Sequence, residues 1–191
     1  FVVWGAQLPG QTYVSVGCDS TAGARDAVHH LIAAGRRRIA FIGGFERMVE
    51  TDARRQGYLQ ALAGAGLTPD PALLHFTDFT PEAAGQAIQT ILRHTPDIDG
   101  VFACSDFMAI GVIEVLRQNG RAVPADVAVV GCDDIPLAAY YAPRLTTIHQ
   151  PIQQGGRLMV QKLLTLIEGH PTASVTLPHT LIIRDSSPQP D

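Results

Sequence analysis

The run Val129-Val130-Gly131-Cys132-Asp133-Asp134-Ile135-Pro136 sets two adjacent carboxylates where an apolar, β-branched stretch ends. Like charges side by side repel, so the pair calls for compensation by capped backbone N–H groups, a cation or a polar ligand. The pair could be read as an acid–base dyad. Neighbours along a chain point apart, however, and no nucleophile or base stands beside them in the sequence. No GxSxG elbow, Walker A loop or HExxH helix occurs, and Gly64-Ala65-Gly66 follows a helical stretch where a dinucleotide fingerprint would need a strand. His29 and His30 are adjacent, about 100° apart on a helix, and cannot form an i, i+4 metal pair. His75, His94, His149, His170 and His179 are scattered. Cys18, Cys104 and Cys132 form no CxxC pair, and an odd number at wide spacing reads as free thiols in a reducing compartment. They read as small buried residues, with a soft-metal or redox role as the sharper alternative.

The elements that must position these residues alternate. Strands are expected at 1–4, 13–17, 38–42, 72–76, 99–104, 127–131, 146–149 and 175–184. Helices are expected at 21–34, 50–65, 80–94, 107–119, 137–141 and 151–168. This is the spacing of βαβ units, which implies an α/β fold with mainly parallel sheets covered on both faces. Thr80 as N-cap, Pro81 at the first helical position and Glu82 in the first turn agree on a helix start. Gly35 and Gly120 read as helix ends. At 191 residues and 46% hydrophobic content the chain can bury a sizeable core, and its net charge of −4 argues against gripping nucleic acid unaided. No apolar run reaches membrane-span length and no signal peptide is visible. The opening Phe1-Val2-Val3-Trp4 reads as a strand without lead-in, as though the chain begins inside a larger protein, and Ser186-Ser187-Pro188-Gln189-Pro190-Asp191 reads as a frayed tail.

Ligands of open parallel sheets bind outside the carboxyl ends of the strands. There the sequence puts Cys18-Asp19, Gly43-Gly44, Asp78-Phe79, Ser105-Asp106 and Cys132-Asp133-Asp134. This polar, acidic set with one aromatic suits a hydroxyl-rich ligand better than a phosphate.

Four ordered stretches carry a family resemblance: AGARDAVHHLIAAGRRRIAFIGG (22–44), ARRQGYLQAL (53–62), DGVFACSDFMAIGVIEVL (99–116) and DVAVVGCDDIPLAAYYAPRLTTIHQP (126–151), continued by GRLMVQKLLTLIEG and VTLPHTLIIRDS. Together they resemble the effector-binding core of LacI/GalR transcriptional regulators over nearly the whole chain. The resemblance implies a periplasmic-binding-protein-like fold of two Rossmann-like subdomains joined by three crossovers. Mapped here, residues 1–19 would end the N-terminal subdomain and 20–147 would form the C-terminal, effector-binding subdomain. Residues 148–174 would return to the first, and 175–191 would supply the final strands of the second and the tail. The first part of the N-terminal subdomain and the DNA-reading helix-turn-helix would lie outside this chain.

The same resemblance implies a site. Asp133 would accept hydrogen bonds from ligand hydroxyls, as an acceptor-only group can. Arg54, three residues before Gly57-Tyr58, would offer its guanidinium fork to ligand oxygens, with Arg55 as its exposed neighbour. Phe79 would pack on the ligand or staple its own helix. Ser105, Asp19 and Gln150 would be further contacts. Asp106, Asp134 and Thr80 would cap helices. Position 132, commonly aromatic in the family, is Cys132 here.

The implied function is a ligand-sensing domain of a bacterial regulator or repressor. It would bind a small effector, a sugar or sugar derivative, and modulate operator DNA binding by the helix-turn-helix. The intact protein would be a cytoplasmic homodimer, with no membrane partner, cofactor or metal. A periplasmic sugar-binding transport protein is the alternative, and an enzyme such as a sugar hydrolase a further rival.

Overall fold

The computed structural model describes residues 1–187. Two layers of β-sheet organise it. The smaller joins β1 (Val2–Trp4), β2 (Val14–Cys18) and β8 (Val175–Leu177) in the parallel order β1-β2-β8. The larger joins β3 (Ile39–Gly43), β4 (Leu74–Phe76), β5 (Gly100–Ala103), β6 (Ala128–Asp133), β7 (Thr146–His149) and β9 (Thr180–Ile182) in the order β4-β3-β5-β6-β7-β9. All its neighbours are parallel except β7 and β9. The central strands β3 and β5 are buried along their whole length, as the unbroken apolar runs demand of a sheet covered on both faces.

Helices α1 (Ser20–Ala33) and α2 (Val49–Gly64) pack as one pair, α3 (Pro81–His94) and α4 (Asp106–Gln118) as another. Gly57 makes the first pairing close: a Cβ there would sit 2.2 Å from the Thr21 carbonyl oxygen of α1. Helix α5 (Ile152–Ile167) lies on β1 and β2, with the Trp4 ring against Gly155. The chain passes between the layers after β2, after β7 and between β8 and β9.

Three expectations need correction. Residues 175–184 are two strands in different sheets, so Val175–Leu177 belongs with β2 and not with the larger layer. Pro178 explains the break, since it has no N–H to continue a ladder. The expected frayed tail is anchored at its start. Ser186 and Ser187 are fully buried, the Ser186 hydroxyl donates to the Val129 carbonyl (2.7 Å) and accepts from the Thr146 N–H (2.8 Å), and residues 188–191 lie outside the described residues. The helix expected at 137–141 is a short 3-10 turn, Pro136–Ala139.

Candidate ligand cleft

Strand β6 delivers Asp133 and Asp134 to the junction of the two layers with φ of +114° and +54°. Such conformations cost about 1–3 kcal/mol each in a residue with a Cβ and persist where surroundings hold them. Asp134 does not cap: Ile135 occupies the cap position of the following turn and makes no side-chain cap bond. Its carboxylate is taken up by long-range partners instead. Arg184 donates to one oxygen at 2.8 Å and His149 Nδ1 lies 2.9 Å from the other. Asp133 accepts from Gln150 Nε2 at 2.9 Å and lies 3.8 Å from Arg54 Nη2. Burial lifts its pKa above the ordinary value, while Arg54 and the bonds from Cys132 and Gln150 pull the other way.

Arg54 points inward from α2 and is 8% exposed. Its Nη1 donates to the Cys104 carbonyl at 2.8 Å, and its buried Nε has no partner. Close α1–α2 packing at Gly57 carries this helix face toward the strand ends. Arg55 faces outward and pairs with Asp52 at 3.3 Å, which separates the two neighbouring arginines by role.

Ser105 and Asp106 exchange the roles expected of a contact and a cap. The Ser105 hydroxyl accepts from the Met108 N–H at 3.2 Å and is the N-cap of α4. Asp106 is the first helical residue, fully buried, accepting from Thr147 Oγ1 at 2.5 Å and from the Ile135 N–H at 2.8 Å. The two positions compete because either side chain can cap, and the phase of helix entry decides. Asp19 caps α1 through the Ala22 N–H at 2.9 Å while its own residue stays exposed. Thr80 caps α3 through the Ala83 N–H at 3.2 Å. Phe79 has φ +67°, lies over Gly44 and meets Phe45 edge-on with centroids 6.1 Å apart.

The fold therefore brings Asp133, Arg54 and Gln150 together, with Cys18, Asp19 and Cys132 lining the recess beside Arg54. Phe79 and Ser105 line neither that recess nor the cleft in front of Asp133. In front of Asp133 an open cleft of about 480 Å³ is lined by Asp133, Asp134, His149 and Gln150 on one side and by Ile152, Gln153, Gln154 and Arg157 of α5 on the other. Sequence reasoning missed His149, Arg184, Thr147 and Glu50. Glu50 accepts from Ser20 Oγ at 2.8 Å and from the Ala6 N–H at 3.4 Å, joining α2 to the segment after β1. Only His149 and Thr147 carried a signal, through their place beside Gln150 in TTIHQP.

The thiols are all buried and free. Burial raises all three pKa values, that of Cys104 to about 12, so they are protonated and poorly nucleophilic at neutral pH. Among the described residues no group of three or more His, Cys, Asp or Glu is placed to hold a metal ion, and no helix is long and apolar enough to cross a membrane. A larger groove, about 670 Å³, runs between α3 and α4 past Gly85, Ile110, Val115 and Tyr141. It lies on the helical flank and not at the carboxyl ends of the strands, so we place the candidate site at Asp133.

Against known proteins, residues 28–187 match the family described as a periplasmic binding protein-like domain. The HTH-type transcriptional regulator CelR of Thermobifida fusca is 40% identical over 181 residues, covering 94% of this chain and 53% of the relative. The HTH-type transcriptional repressor CytR of Escherichia coli is 37% identical over 175 residues, covering 91% and 51%. Among solved structures, a CelR–cellobiose complex superposes with a TM-score of 0.92 at 39% identity, over 97% of this chain and 58% of the other. A regulatory protein of the LacI family from Chloroflexus aggregans gives 0.92 at 33% identity, over 99% and 69%. The chain spans about half the length of the curated relatives it matches.

Proposed function

Because this chain belongs to the LacI family of regulators, within the periplasmic-binding-protein-like domains, we propose that it is the effector-sensing core of a cytoplasmic transcriptional regulator. Its ligand is a neutral, hydroxyl-rich molecule, a sugar or glycoside. The observation that carries this reading is the Asp133–Arg54–Gln150 trio at the junction of the two layers. A carboxylate that accepts and a guanidinium and an amide that donate match the two-way hydrogen bonding of a sugar hydroxyl. Arg54 contributes a buried Nε without a partner, a donor that a ligand oxygen would satisfy. Gln150 donates to the Asp133 carboxylate and Arg54 pairs with it at 3.8 Å, and ligand hydroxyls would share or replace those contacts. Asp19 extends the rim beside Arg54, and Ser105, the cap of α4, keeps a hydroxyl proton to donate.

The ligand touches both layers, Asp133 on the larger and the start of α5 on the smaller. It therefore shifts their relative arrangement by as much as its affinity differs between arrangements. In the intact protein, a homodimer, that shift would reach a helix-turn-helix and change operator binding. The relatives matched are regulators, which weighs against both the transport reading and catalytic turnover.

Isothermal titration of the chain with cellobiose, maltose, galactose and ribose tests the reading, cellobiose first because the CelR structure holds it. One sugar should bind, and Asp133→Ala or Arg54→Ala should weaken it about 100-fold, the cost of a buried charged hydrogen-bonding group left unpaired. A wild-type chain indifferent to all four sugars, or sugar binding untouched by both substitutions, would count against it.

A further inference from the structure

We propose that Asp106 is a positioning residue for this cleft: it holds the turn that presents Asp133, and it ties that turn to β7. The proposal rests on the reading above that Asp133 meets the ligand. Asp106 starts α4 but does not cap it, since Ser105 already does. Its carboxylate is fully buried and spends its two oxygens in two directions. One accepts from the Ile135 N–H (2.8 Å), directly after the Asp133-Asp134 pair, and the other from Thr147 Oγ1 (2.5 Å). Gly131 keeps the space open, because a Cβ there would lie 2.4 Å from Asp106 Oδ1. The glycine of VVGCDD thus leaves room for the carboxylate that steadies the two acids after it.

The turn needs steadying. Asp133 and Asp134 both have positive φ, and left to themselves they would relax toward the common regions. Asp134 is held by Arg184 and His149. The Asp133 carboxylate meets Gln150 and Arg54, the two groups that ligand hydroxyls would engage, with the Cys132 thiol beside it, and its backbone pairs with His149 of β7. Asp106 on Ile135 anchors the far side of the pair and stays in place when those are engaged. Thr147 and His149 alternate on one face of β7, so one strand face supports the turn twice, through Thr147–Asp106 and through His149–Asp134.

The chemistry selects the variants. Asparagine at 106 can accept from Ile135 and donate to the Thr147 hydroxyl, whereas leucine can do neither. The chain carrying Asp106→Leu, Asp106→Asn or Thr147→Val is compared with wild type by hydrogen exchange at the Ile135 amide and by titration with the same four sugars. Asp106→Leu should exchange at Ile135 about tenfold faster or more, the worth of one charged hydrogen bond, and lose sugar affinity as far as Asp133→Ala does. Asp106→Asn should keep both within about threefold and Thr147→Val should fall between, since each retains the Ile135 acceptor. Where the leucine variant does not fold, Thr147→Val against Asp106→Asn carries the comparison. Unchanged exchange in a folded variant that has lost these bonds overturns the proposal, as does faster exchange with wild-type sugar affinity. If wild type binds none of the sugars, the cleft reading fails on that arm alone. The exchange arm needs no ligand and still decides whether Asp106 holds the turn.

Discussion

Burial pushes the Asp106 carboxyl up from 3.8 to about 7, although the bonds from Thr147 and Ile135 oppose it. Between those two values the folded protein binds a proton that the unfolded chain has released, so stability falls as pH rises through the interval. The contribution is fully present below the unfolded value and lost above the folded one. At 1.36 kcal/mol per pH unit the whole effect is about 4 kcal/mol. Asp106→Asn carries no charge to bury, so it should be more stable than wild type by a few kcal/mol near pH 8 and equal to it near pH 4, read from urea midpoints. A difference of the same size at both pH values would mean that Asp106 does not titrate in this range. Residue roles here were only partly legible in the sequence. That Asp133 and Arg54 lie together follows from motif resemblance, but Asp134 finds Arg184 fifty residues further along, a pairing that no local pattern encodes. Ser105 and Asp106 are both good caps, and a one-residue phase of helix entry separated a cap from a buried anchor.

Elements were more legible, because periodicity and punctuation reflect local physics. Thr80-Pro81 starts α3 where the sequence says it should. The run 175–184 misled because both halves are β-branched and the sheet each joins depends on partners far away. How closely helices approach is likewise a tertiary matter, and it yields a paired prediction. A Cβ on Gly111 in α4 would lie 2.1 Å from the Pro81 carbonyl oxygen of α3, whereas one on Gly156 in α5 would meet nothing within 4 Å. Gly111→Ala must therefore force backbone apart and should cost about 1–3 kcal/mol, as overpacking does. Gly156→Ala gains helix propensity without a clash and should stabilise by about 0.5–1 kcal/mol. Thermal midpoints of the two variants check the pair, and equal shifts of one sign would show that α3 and α4 do not meet as described.

At the scale of the molecule the two layers differ in how much they bury. The larger sheet sits in a core that runs from Ala24 to Ile148 and includes Phe41, Phe102, Ile88 and Leu116, all essentially inaccessible. The smaller is centred on Val16, Cys18 and Leu177, with Val2, Leu158, Met159 and Val175 packed against them. Helix α5 buries only Gly155 and leaves Val160, Leu163, Leu164 and Ile167 exposed, an i, i+3, i+4, i+7 stripe. Local opening is governed by the apolar contacts and ladder bonds lost in each unit, so the layers should open separately. Amides of β1, β2 and β8 should exchange at least about 100-fold faster than those of β3, β5 and β6, which should open only with global unfolding. A ligand that binds across the junction stabilises the arrangement it selects by RT ln(1 + [L]/Kd), about 2.7 kcal/mol at 100-fold excess over Kd. Part of that should appear as slower exchange in β1 and β2, where Cys18 lines the recess beside Arg54. Hydrogen exchange with and without a bound sugar separates the possibilities. Protection confined to the larger sheet would mean that the ligand does not engage the smaller layer, and closure of one layer on the other would then lose its driving contact.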